Sequence, residues 1–307
     1  MGSIKQTVAE VVGEMLGNLL DTVVEWIVRI FLGPLLEACL KAGTTVYNNM
    51  LNNALTIMTK RPDQWNYSGW NFIVSEVNTI FVIFGSTLVV IFFLIGFCAE
   101  SVDIRHEIRL ESILTSFIKL SIAEFFVMNS LGIVTSLFGL VAELTKFRKN
   151  LQFSITVDVT TADLAGMSAG AAILGVILAF ICMIALIASG AIITYTAYMR
   201  FFKILLLIPY GAIASSTIAG NHMLNHTAVS FWKYAVGTVL EGVTMILALV
   251  LFARIDGGGG LDFVGKLMGH GNDLVMIGKL IDKTLLALLC LGVVKGSGAL
   301  TQKVLGL

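Results

Sequence analysis

Charge is what this sequence has least of. Asp, Glu, Lys and Arg make up 13% of its 307 residues, where soluble domains carry about 25%. The 20 acidic and 20 basic residues cancel, so the basic excess that marks a nucleic-acid binder is missing. In water, a chain of this length must cover one or two cores with polar surface. At 57% hydrophobic residues and a mean hydropathy of +0.90 it lacks that surface. The shortage excludes an extracellular domain, a disordered scaffold and an ordinary cytosolic enzyme. The four cysteines, Cys39, Cys98, Cys182 and Cys290, are scattered through apolar surroundings without a CxxC pair. Neither a disulfide framework nor a zinc site is spaced this way, and they read as buried, inert thiols. The first thirty residues carry acids throughout instead of a basic tip and a clean apolar stretch. No cleavable signal peptide is expected there. What remains is a protein whose solvent is the bilayer.

Gaps between charges mark the expected crossings. Val77 to Ala99 is uncharged, and about 20 apolar residues suffice to span a hydrocarbon core. Leu164 to Met199 is longer still; as a helix it would reach on the order of 50 Å and must tilt or protrude. Four weaker spans follow. Phe125 to Ala142 is expected to start earlier, near Glu111. Ile204 to Ala219 comes after a short basic turn, Arg200 to Lys203, and its Pro209 predicts a kink or a re-entrant segment. Val229 to Ala253 holds only Lys233 and Glu241, and Leu280 to Leu300 holds Asp282, Lys283 and Lys295. The fold expected is all-α and polytopic, with about six transmembrane helices; five and seven stay open. It divides into an N-terminal amphipathic helical pair, 1–60, and a transmembrane helical domain, 61–307.

In the pair, Glu10, Glu14, Asn18, Asp21, Glu25 and Arg29 recur every three or four residues, which places them on one helical stripe. The first helix ends near Leu32, Pro34 suits the first turn of the second, and the second runs to about Thr59. A helix resting on anionic lipid has a basic polar face. This stripe is acidic, which favours docking on protein over lying on the membrane surface. Pro62, Trp65, Tyr67 and Trp70 then form an interfacial aromatic belt. Thr145 to Asp163 is a polar loop with room for a small hairpin, and Gly257 to Gly260 is a flexible turn.

Several patterns imitate enzyme motifs. Gly166 to Gly170 reads GMSAG, a formal G-x-S-x-G, but it opens an apolar helix where a nucleophile elbow needs a strand. Gly166 with Gly170, and Ala171 with Gly175, are instead the small-xxx-small pairs that let helix backbones approach in lipid. Gly260 to Leu267 reads GLDFVGKL; a phosphate loop would end in Ser or Thr and follow a strand. His222 and His226 share a helix face but lack a third metal ligand.

Ions inside spans are more informative, because a central charge costs about 2.5–3.5 kcal/mol on insertion scales. Lys119, Glu124, Glu241 and Lys295 must therefore face protein or water. They either pair internally and snorkel, or line a wet passage and bind an adjacent subunit. Arg200 and Lys203 belong with them as candidate polar positions and read as a cytoplasmic turn.

Tyr198 to Ile255 reads YMRFFKILLLIPYGAIASSTIAGNHMLNHTAVSFWKYAVGTVLEGVTMILALVLFARI: an Arg-x-x-Lys turn, an apolar segment with proline, a polar loop, an aromatic-Lys motif and a long apolar helix. This pattern resembles the TrbL-like family of polytopic inner-membrane subunits of type IV secretion and conjugation machines. The resemblance implies a non-enzymatic scaffold or channel subunit in the bacterial cytoplasmic membrane, without cofactors, forming homo-oligomeric rings. Its implied partners are secretion ATPases, other membrane subunits and transferred single-stranded DNA or protein. The competing expectation is a stand-alone secondary transporter or ion channel. An intramembrane hydrolase using Ser168 or Ser189 is a distant third.

Overall fold

The computed structural model describes residues 33–65, 67–102, 110–144, 169–220, 222–257, 264 and 272–306, with 13, 15, 17, 19, 22, 23, 26, 30 and 31 before them. Among the described residues there is no strand, and almost every residue is helical. In chain order the elements are α1 (Gly33–Thr59), the short α2 (Pro62–Trp65) and α3 (Tyr67–Asn71), and a π-helical segment, Phe72–Val77. Then come α4 (Asn78–Val102), α5 (Leu110–Met128), α6 (Ser130–Leu144) and α7 (Ala169–Ser216). A 3₁₀ turn (Thr217–Ala219), α8 (His222–Gly257) and α9 (Asn272–Val304) complete the series.

Among the described residues, three helices are long and apolar enough to cross a bilayer: Tyr67–Ala99, Ile173–Ala219 and Leu224–Asp256. A fourth span results if Ile113–Met128 and Ser130–Gly139, bent by 61°, count as one. Their surfaces suit lipid. Ile80, Ile83 and Phe84 on α4, and Leu114, Phe117 and Phe125 on α5, are all more than half exposed, an arrangement water would penalise.

The structure corrects the sequence reading at several points. Arg200 to Lys203 is no turn: α7 runs through it for 48 residues, about 70 Å, so the two expected spans on either side are one helix. Pro209 lies inside it; its missing N–H leaves one carbonyl without a helical donor, a loss tolerated in membrane helices. The Phe125 to Ala142 span is broken rather than straight. Asn129 directs both its backbone N–H and its side-chain amide to Phe125 O (3.0 and 2.9 Å), and Ser130 Oγ donates to Val127 O at 3.0 Å. Side chains that offer the backbone such alternatives bend helices. Leu280 to Leu300 is helical as part of α9 but is not among the candidate spans; Asp282, Lys283 and Lys295 are costly in hydrocarbon. The linker 60–70 is largely helical. Cys182 and Cys290 are buried as expected, but Cys39 is only half-buried and Cys98 is exposed. The stripe Glu10, Glu14, Asp21, Glu25 and Arg29, the 145–163 loop, Gly166 and Ser168 lie outside the described residues.

Two compact units divide the chain. The first gathers the described residues of Met1–Asn52, Gln152–Ile193 and Leu251–Gly292. Here Tyr47 of α1 meets Phe252 edge-on, with ring centroids 6.4 Å apart. The buried Asp282 carboxylate accepts the Val264 N–H at 3.0 and 3.3 Å, and Lys283 pairs with Asp256. The second unit gathers those of Asn53–Leu151, Thr194–Val250 and Val293–Leu307. Among its described residues two apolar clusters pack: Val134 and Phe138 with Ile204, Ile208 and Val239, and Val89, Ala123 and Val127 with Ala212 and Ala219.

Candidate functional site

Four of the six sequence-predicted ions gather in the second unit, around residues 200–203, 234–241 and 295–302. Arg200, placed mid-helix by the continuity of α7, is 3% exposed. Its Nε donates to Thr238 O at 3.3 Å, Nη2 to Val239 O at 3.2 Å and Nη1 to Met58 O at 3.4 Å. Met58 stands in the last turn of α1, where carbonyls lack helical donors. The residue four further on, which would supply one, is Pro62. A cation at this negative end of the helix dipole is favourable.

Glycine makes the arrangement possible. A Cβ on Gly242 would lie 1.9 Å from the Arg200 guanidinium carbon, and one on Gly298 2.9 Å from Glu241 Oε1. One turn further along, Thr244 Oγ1 and Thr301 Oγ1 stand 3.3 Å apart, so α8 and α9 approach closely over this stretch.

Beside the buried arginine is a pocket of about 250 Å³, lined by Lys203 of α7, Tyr234, Gly237, Thr238 and Glu241 of α8, and Lys295, Gly298, Ala299 and Gln302 of α9. Its two lysines face one carboxylate. The Thr238 hydroxyl is engaged by Tyr234 O at 3.0 Å. Lys203, Tyr234, Glu241, Lys295 and Gln302 form no side-chain hydrogen bond or ion pair among the described residues, while Glu241 is close enough to Arg200 to interact electrostatically.

The remaining pair lies apart. Glu124 accepts a 2.8 Å hydrogen bond from Ser86 of α4 and lines a wider, mostly apolar groove with Val89, Leu120, Phe125 and Asn129. Lys119 is half-buried on α5. Of the small-residue positions, Gly170 lies in the first turn of α7 and Gly175 is buried. Ser189 is buried with its hydroxyl given to Leu186 O at 2.8 Å. His226 Nδ1 stands 3.4 Å from Ser230 Oγ, and among the described residues no three His, Cys, Asp or Glu gather as metal ligands. Sequence reasoning missed Gly242, Gly298, Tyr234 and Gln302. Their role comes from which helix faces which, and only the pairing of Gly242 with an adjacent Glu241 hinted at it.

No family model, curated protein or solved structure matches this chain.

Proposed function

We propose that the chain is a multi-pass subunit of a conjugative type IV secretion machine in the bacterial cytoplasmic membrane. In this reading it is a non-enzymatic scaffold or channel component. It assembles with copies of itself, with other membrane subunits and with the secretion ATPases, and it helps carry single-stranded DNA or protein across the bilayer. One observation carries the reading: the stretch with the TrbL-like pattern, Tyr198 to Ile255, supplies Arg200, Lys203, Tyr234, Thr238 and Glu241, most of a strongly polar site on long apolar helices. Ions kept at such cost in membrane helices mark function more often than architecture. Extraction in mild detergent followed by mass measurement tests it. A ring-sized homo-oligomer that co-purifies with an ATPase is expected, and a bare monomer without partners would overturn it.

The bent α5–α6 pair favours a second reading. Broken helices build the substrate sites of secondary transporters, and a stand-alone transporter or ion channel would use the break at Asn129 in that way. Solute uptake into liposomes containing only this chain, abolished by changes at Asn129, would select it over the first.

A further inference from the structure

The pocket between α7, α8 and α9 carries more positive charge than its own side chains neutralise. Lys203 and Lys295 face Glu241 alone, and the buried Arg200 guanidinium stands against Gly242, the neighbour of Glu241. Among the described residues no other carboxylate lines the pocket. Glu241 is, among the described residues, the one anion at this site and balances at most one of the three cations, which leaves two of them without a counter-charge. Tyr234 and Gln302 add uncharged donors at the rim, and Gly237, Gly298 and Ala299 keep the floor free of side chains. Two ammonium groups and neutral donors around a small void are the chemistry of a phosphate site, with lysine serving as a point charge.

Size and position narrow the ligand. A volume of about 250 Å³ is below the roughly 300–1,000 Å³ that takes drug-sized molecules. It also lacks the length of a groove that tracks several nucleotides of a strand. On α7 uncharged runs flank the pocket on both sides, 164–199 before Arg200 and 204–219 after Lys203, while 242–253 follows Glu241 on α8 and 284–294 precedes Lys295 on α9. Basic pockets between membrane helices are places where phosphate headgroups bind. We propose that this pocket binds a phosphate group, carried by a lipid headgroup or free in solution. The site asks only for a bilayer protein and stands apart from the secretion reading.

The full chain in detergent, titrated with dihexanoyl-phosphatidylglycerol, with inorganic phosphate and with a 15-nucleotide single-stranded DNA, tests this by calorimetry and native mass spectrometry. One-to-one binding of the lipid or of phosphate is expected, weakened at least tenfold by Lys203→Gln with Lys295→Gln. The Lys203→Arg, Lys295→Arg pair should stay within about threefold of the parent, and Glu241→Gln should bind several-fold tighter. Both lysines are exposed, so their loss empties no core, and melting curves of each variant confirm folding. Lipid binding that inorganic phosphate does not displace assigns the headgroup as the source; equal binding of phosphate alone assigns the free anion. Parental affinity in the double glutamine variant, weaker binding in Glu241→Gln, binding of the oligonucleotide alone, or binding of no probe would each overturn the proposal.

Discussion

At position 242 the space beyond the backbone is filled by a charge. A methyl group there would stand 1.9 Å from the Arg200 guanidinium carbon, so Gly242→Ala must expel the guanidinium from its three carbonyls. Overpacking costs about 1–3 kcal/mol, and the displaced cation loses charge-assisted bonds of about 1.5–3 kcal/mol each. Arg200→Met alone is close to neutral, because desolvating an arginine without a bonded carboxylate offsets those bonds by several kcal/mol. The double change Gly242→Ala, Arg200→Met is therefore expected to regain most of the stability lost by Gly242→Ala, and a double-mutant cycle of thermal unfolding in detergent measures that coupling. Tyr47 presents the opposite case. Burial, reinforced by Cys290 and Asp256 and only partly opposed by the nearby Ser189 hydroxyl, holds its phenol well above the ordinary value, so it stays neutral at physiological pH. Ser189 nearby spends its hydroxyl on Leu186 O, and the Tyr47 hydroxyl forms no hydrogen bond among the described residues. A buried unsatisfied hydroxyl costs about 1–3 kcal/mol. Tyr47→Phe is expected to raise the unfolding temperature by a few degrees, and a lowered one would reveal a partner for the hydroxyl.

Among the elements, the break between α5 and α6 is the sharpest departure from regular helix. If the Asn129 and Ser130 side chains hold the 61° bend, Asn129→Ala with Ser130→Ala should straighten it. Spin labels at the exposed Leu114 and Ser136 would then move apart by about 4 Å, at about 1.5 Å of rise per residue, as pulsed electron resonance would record. An unchanged distance would assign the bend to packing of the two arms. The sequence held part of this architecture openly. The end of α1 at Thr59, the start of α5 beside Glu111 and the apolar α4 and α8 follow from periodicity and charge spacing, which are local properties. The course of α7 was hidden for a physical reason. A charged cluster between apolar runs looks like a loop as long as its acceptors are unknown, and those of Arg200 lie 38, 39 and 142 residues away. In the same way, Lys203, Glu241 and Lys295 were legible as costly ions, whereas their meeting in one pocket depends on helix pairing that no local pattern encodes.

For the molecule as a whole, the continuity of α7 changes the membrane topology. Two crossings joined by a turn at Arg200 would put Gly170 and Gly220, at either end of the helical stretch, on the same side of the bilayer. A single helix puts them on opposite sides. Reporter fusions at Gly170 and at Gly220 are expected to report opposite compartments, and agreement between them would restore the turn. The buried arginine also bears on how such a chain is made. Two of its three acceptors, Thr238 and Val239, are translated 38 and 39 residues after it, a lag of about 2–8 s at ribosomal speeds of roughly 5–20 residues per second. During that interval Arg200 has only Met58 O of its three acceptors, which favours keeping α7 at the insertion machinery until α8 emerges and the two helices can enter the lipid as a pair.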